Sequence, residues 1–199
     1  MTDQARGEGV GAPRPVFPSL STSRVRLRPA TRADGEAFYS LLLELGLSTL
    51  PTLDQWLDGG LGMRDAAAQF AVYRRSDDAL LGFTTLYQLD PNARHVKAGV
   101  YARFEQAPGL AAEASVLTLN YGFAMWDVRK IYFHTTEASL PHYGGAIAKV
   151  ARREAVLPNH LFFRGQLWDV HVFAIYREDW AGAGARLVER LTRHVQAAS

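Results

Sequence analysis

The sequence contains no cysteine, and this absence removes several kinds of chemistry at once. Disulfide bonds, thiolate metal sites and a cysteine nucleophile are all excluded. Four histidines, His95, His160, His171 and His194, show no ligand spacing with one another or with carboxylates, so we expect no bound metal ion. Any catalysis must come from other side chains or from backbone groups.

Long apolar segments and concentrated charge are also lacking. No apolar run approaches the roughly 20 residues that span a bilayer, and the N-terminus does not have the charged-then-apolar order of a secretory signal. The formal net charge is only +2, with basic residues scattered among acidic ones. This pattern does not indicate a nucleic-acid-binding surface. We therefore expect a cytoplasmic protein with neither nucleic acid nor membrane as a partner.

The sequence has enough apolar residues for one substantial core. The chain has 199 residues, of which 48% are hydrophobic, a length that suits one domain better than two. Glycine and proline among small polar residues predict a flexible tail over residues 1–22. Residues 23–182 are expected to form the domain, and residues 183–199 a helical extension.

The hydrophobic pattern predicts alternating strands and helices. Strands are expected at residues 25–28, 69–74, 80–89, 95–104, 130–135, 160–164 and 167–176, and helices at 34–45, 53–57, 109–126, 139–152 and 185–196. Turn sequences separate the second, third and fourth strands, which predicts an antiparallel meander. The helix over 109–126 is expected to be amphipathic, because its apolar residues recur at three-and-four spacing: Leu110, Ala114, Leu117, Tyr121 and Met125. A mixed α/β fold follows.

The loop before that helix has a composition suited to phosphate binding. It reads Gln106-Ala107-Pro108-Gly109-Leu110-Ala111 and leads from a strand into the helix. The first N–H groups of a helix lack intrahelical partners and carry partial positive charge, which suits a pyrophosphate. The small Gly109 and Ala111 would let phosphates approach the backbone. Glycine content alone favours the alternative, an ordinary strand-to-helix turn, because short glycine patterns are common.

This loop resembles the coenzyme A loop of the GCN5-related N-acetyltransferases (GNAT), whose pattern is (Gln/Arg)-x-x-Gly-x-(Gly/Ala), and it follows the fourth predicted strand as in that family. Three further stretches are similar to the family: Val25-Arg26-Leu27-Arg28-Pro29-Ala30-Thr31, Tyr121-Gly122-Phe123-Ala124 with Val128-Arg129-Lys130-Ile131, and Gly165 with Asp169 and Arg177-Glu178-Asp179-Trp180. The last two resemble the branch that contains ribosomal-protein N-terminal acetyltransferases. The resemblance implies the GNAT fold, a mixed and mostly antiparallel central sheet splayed at strands 4 and 5 and flanked by helices.

The resemblance also implies a co-substrate, acetyl-CoA or another acyl-CoA, and the residues that bind it. The pantetheine arm would pair with the backbone of the fourth strand, and the phosphates would lie on the loop. A further motif, Asn-x-x-Ser in the related branch, reads Thr136-Glu137-Ala138-Ser139 here. The implied cofactor-binding residues are Val100, Ala102, Phe104, Gln106, Ala107, Gly109, Leu110, Ala111, Thr136 and Ser139.

The implied chemistry is direct attack of a neutral amine on the thioester, with proximity supplying much of the acceleration. Tyr143 matches the tyrosine that the family often uses as the acid for the thiolate, although Pro141, Gly144 and Gly145 interrupt the expected helix start. An amphipathic wall residue is the alternative role for Tyr143. Glu105 and His134 are candidates for the base, and each has a structural alternative as an ordinary strand residue.

Three functions are compatible with the sequence. The first is an N-acyltransferase, acting from acyl-CoA on a primary amine of a small molecule, an amino acid or a peptide N-terminus. The second takes its acyl group from the phosphopantetheine arm of a carrier protein, which would then be a partner. The third is a catalytically silent acyl-CoA-binding module, which the interrupted stretch at residues 136–148 motivates. A homo-oligomer is compatible with all three.

Overall fold

The computed structural model describes residues 19–47, 50–59, 65–103, 109–136, 147, 149–163 and 165–196. Within these ranges a single seven-stranded sheet has the order β1-β2-β3-β4-β5-β7-β6. Its strands are β1 (Val25–Pro29), β2 (Ala66–Arg74), β3 (Leu80–Asp90), β4 (His95–Ala102), β5 (Lys130–Thr136), β6 (Ala151–Phe163) and β7 (Gln166–Tyr176). The helices are α1 (Gly35–Glu44), α2 (Leu53–Asp58), α3 (Leu110–Met125), α4 (Arg177–Asp179) and α5 (Ala185–Gln196).

Pairing is antiparallel throughout except at one junction. β1 to β4 form the expected antiparallel meander, β4 and β5 run parallel, and β7 pairs antiparallel with both β5 and β6. A parallel pair requires a crossover, and α3 supplies it between β4 and β5. The predicted mixed, mostly antiparallel sheet is therefore confirmed.

Helices α1 and α2 cover one face of the meander half of the sheet. The first helical segment begins at Thr31 and Asp34, because the Asp34 carboxylate accepts from the Thr31 backbone N–H at 2.7 Å and caps a short 3₁₀ turn before α1. Phe38 of α1 stacks on Phe83 of β3, with ring centroids 4.4 Å apart. Tyr101 of β4 stacks on the other side of Phe83 at 4.8 Å. This aromatic stack fixes α1 above the end of β4.

Helix α3 lies on the opposite face, and its surroundings differ from the amphipathic pattern that the sequence predicts. Twelve of its residues are buried, among them the polar Glu113 and Asn120, because α3 packs between the sheet and α5. Met125, which belongs to the predicted apolar stripe, is 49% exposed. The expectation of a one-sided helix is wrong, since a helix with neighbours on two sides buries most of its circumference.

The last helical segment closes the core on the α3 side. Arg177 of α4 donates to the carbonyls of Phe123, Trp126 and Val128, which ties it to the end of α3 and the start of β5. A π-helical turn (Trp180–Gly184) then leads into α5, the helix expected at residues 185–196. Leu187 of α5 and Trp180 are buried in the same core as Ile131 and Phe123. Residues after 182 thus contribute to the domain core.

Strand β6 is longer than the sequence indicates. The pattern predicts a helix to residue 152 and a strand from His160, yet Ala151 and Arg152 already belong to β6 and pair with Ile175 and Ala174. The remainder of the predicted helix, residues 139–146 and 148, lies outside the described ranges. Pro158 is tolerated because β6 is the outermost strand, and the pairing shifts register around it, with Asn159 at φ 49°. Gly165, with φ +80°, forms the predicted β6–β7 turn.

Residues 19–22, which the predicted tail includes, are packed on the domain. The Thr22 side chain is fully buried, and the Leu27 N–H donates to the Leu20 carbonyl at 2.8 Å. Residues 19–22 therefore belong to the packed domain. Residues 1–18 lie outside the described ranges. None of the described helices combines the length with the apolar run that a bilayer span requires.

Candidate active site

The site is built around a gap between the two parallel strands. β4 and β5 pair only at His95–Lys130, Val96–Ile131 and Lys97–Tyr132. β4 then continues to Ala102 and β5 to Thr136 without further pairs among the described residues. Backbone groups of residues 98–102 that face β5 thus have no partner in the sheet and are available to a ligand. The expected splaying at strands 4 and 5 is confirmed.

A groove occupies the gap on the α3 side of the sheet. It is lined by Ala98, Val100, Ser115, Thr118, Phe133 and Ile147. The two hydroxyl groups of its α3 wall are already engaged, because Ser115 donates to the Ala111 carbonyl at 2.8 Å and the Thr118 hydroxyl lies 2.9 Å from the Ala114 carbonyl. The remaining lining is apolar. The groove therefore suits an unbranched chain that uses the β4 backbone for its polar contacts.

The N-terminus of α3 stands at the open end of this gap. Gly109 is the N-cap residue, with φ +80° in the left-handed region that favours glycine. The N–H of Glu113 is the first to reach a helical acceptor, the Gly109 carbonyl at 3.1 Å. The N–H groups of Leu110 and Ala111 precede it and have no acceptor in the helix. The helix dipole is positive at this end, which favours an anion there.

A buried carboxylate anchors this helix end to the first strand. The Glu113 carboxylate accepts from Arg24 Nε at 2.8 Å, from Arg24 Nη2, and from the Thr22 hydroxyl at 2.5 Å. The Glu113 side chain is 8% exposed, whereas that of Arg24 is 53% exposed. A charge without partners at this depth would be costly, so the three groups hold the first turn of α3 in a fixed position.

Replacing Glu113 by glutamine is expected to lower the free energy of unfolding by about 1–3 kcal/mol, because the buried charge-assisted bonds are lost while the half-exposed Arg24 regains water. Urea unfolding measures the change in the free energy of unfolding. Glu189→Gln is the matched control, since Glu189 lies 3.9 Å from Arg193 and is 73% exposed. Equal stability of both variants and the wild type would contradict the anchoring role.

The other face of the gap carries His134. Register places His134 on the same side of the sheet as Lys97, Tyr101 and Tyr132, opposite to the groove beneath α3. Desolvation by burial lowers the pKa of His134 below its usual value, and the positive charges of Lys97 and His160 lower this pKa further. The imidazole of His134 is therefore neutral at neutral pH and can accept a proton.

Seven of the residues that the sequence nominates lie on the elements that border the gap. Val100 and Ala102 lie where β4 pairs with β3 but no longer with β5, Gly109, Leu110 and Ala111 lie at the helix start, and His134 and Thr136 lie where β5 pairs with β7 but no longer with β4. Phe104, Glu105, Gln106, Ala107, Ser139 and Tyr143 lie outside the described ranges. Arg24, Glu113 and Lys97 are further residues of this region that the sequence pattern does not predict. A carboxylate at an otherwise buried helix position was the one signal for Glu113.

Two curated proteins of Bacillus subtilis are similar in sequence. The uncharacterized N-acetyltransferase YnaD is 27% identical over 116 residues, which is 58% of this chain and 68% of that protein. The uncharacterized N-acetyltransferase YoaA is 24% identical over 182 residues, covering 81% of this chain and 98% of that protein. No protein-family model matches the chain.

Solved structures share the fold. The dodecameric spermidine N-acetyltransferase SpeG of Vibrio cholerae has a TM-score of 0.69 at 20% identity, over 80% of this chain and 98% of that one. Its complex with CoA and spermine has a TM-score of 0.66 at 19% identity, over 79% and 98%. A probable GNAT-family acetyltransferase of Chromobacterium violaceum has a TM-score of 0.61 at 19% identity, over 90% and 98%.

A mixed sheet opened between parallel β4 and β5 is the fold that the chain shares with these structures, and together with the similarity to N-acetyltransferases it supports acyl-CoA-dependent N-acyltransferase as the class of enzyme. The chain is similar in sequence to two N-acetyltransferases and shares the fold of the GCN5-related N-acetyltransferase (GNAT) structures. The narrower similarity to the ribosomal-protein branch stays a prediction.

Proposed function

We propose that the protein transfers an acetyl group from acetyl-CoA to a primary amine of a small molecule, an amino acid or a peptide N-terminus. The observation that carries this proposal is the gap itself, where β4 and β5 pair over three residues and then separate. Such a gap gives an extended amide-containing arm both backbone partners and an apolar wall. It also connects the two faces of the sheet, so that donor and acceptor can meet in it.

In this proposal the coenzyme lies along β4. The pantetheine arm pairs with backbone groups near Val100 and Ala102 and fills the groove against Ser115 and Thr118. The pyrophosphate lies on the N–H groups at the start of α3, where Gly109 leaves room for it. Thr136, at the end of β5, borders the same space. Phe104, Gln106, Ala107 and Ser139 keep their predicted contacts with the coenzyme.

The acceptor amine approaches from the face that carries His134. A neutral amine attacks the thioester carbonyl, the carbon–sulfur bond breaks, and coenzyme A leaves as the thiol after gaining a proton. His134 accepts the proton that the amine loses, a role that its lowered pKa and its place beside the gap support. Tyr143 stays the candidate for the acid that protonates the thiolate, and Glu105 stays the alternative base.

Two assays on the full chain test this proposal. Isothermal titration calorimetry with acetyl-CoA should give saturable one-site binding, and thiol release should then depend on both acetyl-CoA and an amine. A failure to bind acetyl-CoA would contradict the donor. Binding without turnover across amino acids, peptides and polyamines would indicate the silent module. Turnover with an acetylated carrier protein alone would indicate the carrier-protein donor.

A further inference from the structure

Lys97 occupies the vertex of the gap. It belongs to the last residue pair that β4 forms with β5, opposite Tyr132, and beyond it the two strands separate. His134 lies two residues further along β5 on the same face, a strand repeat of about 7 Å. Lys97 is half-buried. Its ammonium group thus belongs to the face from which the proposed acceptor approaches, close to the proposed base.

In the described part of the chain, Lys97 has neither an ion-pair nor a hydrogen-bond partner. The neighbouring lysine on this face, Lys130, differs, because its ammonium donates to both oxygens of Glu154 at 2.9 Å. Glu154 also accepts from Tyr132 at 3.0 Å and Tyr176 at 2.5 Å, so its negative charge is already satisfied. Lys97 is left as a partly desolvated positive charge that no described carboxylate neutralises.

Two cationic groups lie close enough to His134 to affect the protonation of its imidazole. Lys97 of β4 and His160 of β6 are the groups whose charge acts on its imidazole, and both disfavour the protonated form. An acceptor with several ammonium groups would bring more positive charge into this environment and would be repelled. An acceptor with a negative group would supply the partner that Lys97 lacks.

On the basis of the proposed function, we propose that Lys97 binds an anionic group of the acceptor. The acceptor is then an amine that carries a carboxylate, as amino acids do. The amine then lies beside His134 while the carboxylate lies at the vertex of the gap. This makes Lys97 a specificity-determining residue. The class differs from a polyamine, which has no negative group to offer Lys97.

The coenzyme phosphates are not the partner of Lys97 in this arrangement. Ala102 lies five positions beyond Lys97 on β4, which is about 17 Å of extended strand. The N-terminus of α3, where the phosphates lie in the proposed function, follows the far end of β4. Loss of Lys97 should therefore leave the affinity for acetyl-CoA unchanged.

The test compares amino acids, β-alanine and γ-aminobutyrate with their C-terminal amides, and includes spermidine. Turnover with acetyl-CoA gives kcat/KM, and calorimetry on the CoA-bound protein gives the affinity for each compound. For the preferred acceptor, we expect the acid to exceed its amide by about tenfold or more in both measures, as a charge-assisted bond of 1.5–3 kcal/mol provides. Lys97→Met, which keeps the apolar stem, should remove this difference.

Lys149→Met is the matched control. Lys149 precedes β6, and the first residue of β6, Ala151, pairs with Ile175 of β7. Lys149 therefore does not lie on β4 or β5 at the gap, and the Lys149→Met variant should keep the preference for acids. Amides or spermidine equal to or better than the acids would overturn the proposal, as would a Lys97→Met variant with an intact acid preference. Acids that bind the CoA complex through Lys97 without being acetylated would overturn the proposed function alone.

Discussion

The Gly109→Val variant is expected to bind acetyl-CoA about tenfold more weakly or worse, because the left-handed backbone at this position costs a β-branched residue about 1–3 kcal/mol. Gly109 has φ +80° and caps α3. Valine would relieve the strain by changing the loop backbone, which turns the first N–H groups away from the phosphates. Its Cβ would also lie 3.4 Å from Arg24 Nη2, beside the helix start that the proposed function assigns to the phosphates. Isothermal titration calorimetry measures the dissociation constant.

Gly165→Val is the matched control for this experiment. Gly165 also has φ +80°, but an added Cβ there meets nothing within 4 Å and the residue lies at the β6–β7 turn. The two variants should therefore lose similar amounts of stability, while only Gly109→Val loses affinity for the coenzyme. An unchanged dissociation constant in Gly109→Val would show that α3 does not bind the phosphates.

The second large effect is expected from His134→Gln. Loss of a general base lowers kcat by about 10²- to 10⁴-fold, and glutamine can donate a hydrogen bond but cannot take the proton. Because His134 lies on the face opposite the coenzyme groove, the dissociation constant of acetyl-CoA should stay as in the wild type. Steady-state kinetics and calorimetry separate the two effects. A variant with wild-type kcat would exclude His134 and leave Glu105 as the base candidate.

The pH dependence of activity tests the role of His134 as the base. Desolvation first, and then Lys97 and His160, lower the pKa of His134, so its neutral form persists below the usual histidine pKa of about 6.5. Protonation of the base should therefore reduce activity only on the acid side of that value. NMR titration of the imidazole, assigned with His134→Gln, should give this lowered pKa directly. Lys97→Met should raise it, and a pKa at or above the usual value would contradict the account.

The order of elements could be predicted because most of them carry a local signal. Alternating residues mark β1 to β5, and the turn sequences between β2, β3 and β4 fix the meander. The start of β6 has no such signal, since Ala151 and the charged residues after it also favour a helix and only long-range pairing with β7 decides. The burial of α3 on two sides likewise depends on α5, whose place beside it no local pattern reveals.

The residues of the candidate site also fall into those that a local sequence signal predicts and those that it does not. Gly109 could be predicted because a glycine next to a helix end indicates a local backbone conformation that other residues rarely adopt. Lys97 and Arg24 could not, because their roles arise from neighbours far away in the chain. Lys97 matters through its position opposite Tyr132, and Arg24 through a carboxylate 89 residues later. Such contacts exist only once the sheet is assembled.

Hydrogen–deuterium exchange with and without CoA tests the central claim, that the coenzyme arm lies in the gap between β4 and β5. The amides of residues 98–102 on the side facing β5 have no sheet partner among the described residues, so the protein alone should exchange them readily. Saturating CoA should slow exchange in this segment and at the start of α3. Protection confined to other parts of the chain, at saturating CoA, would contradict the account.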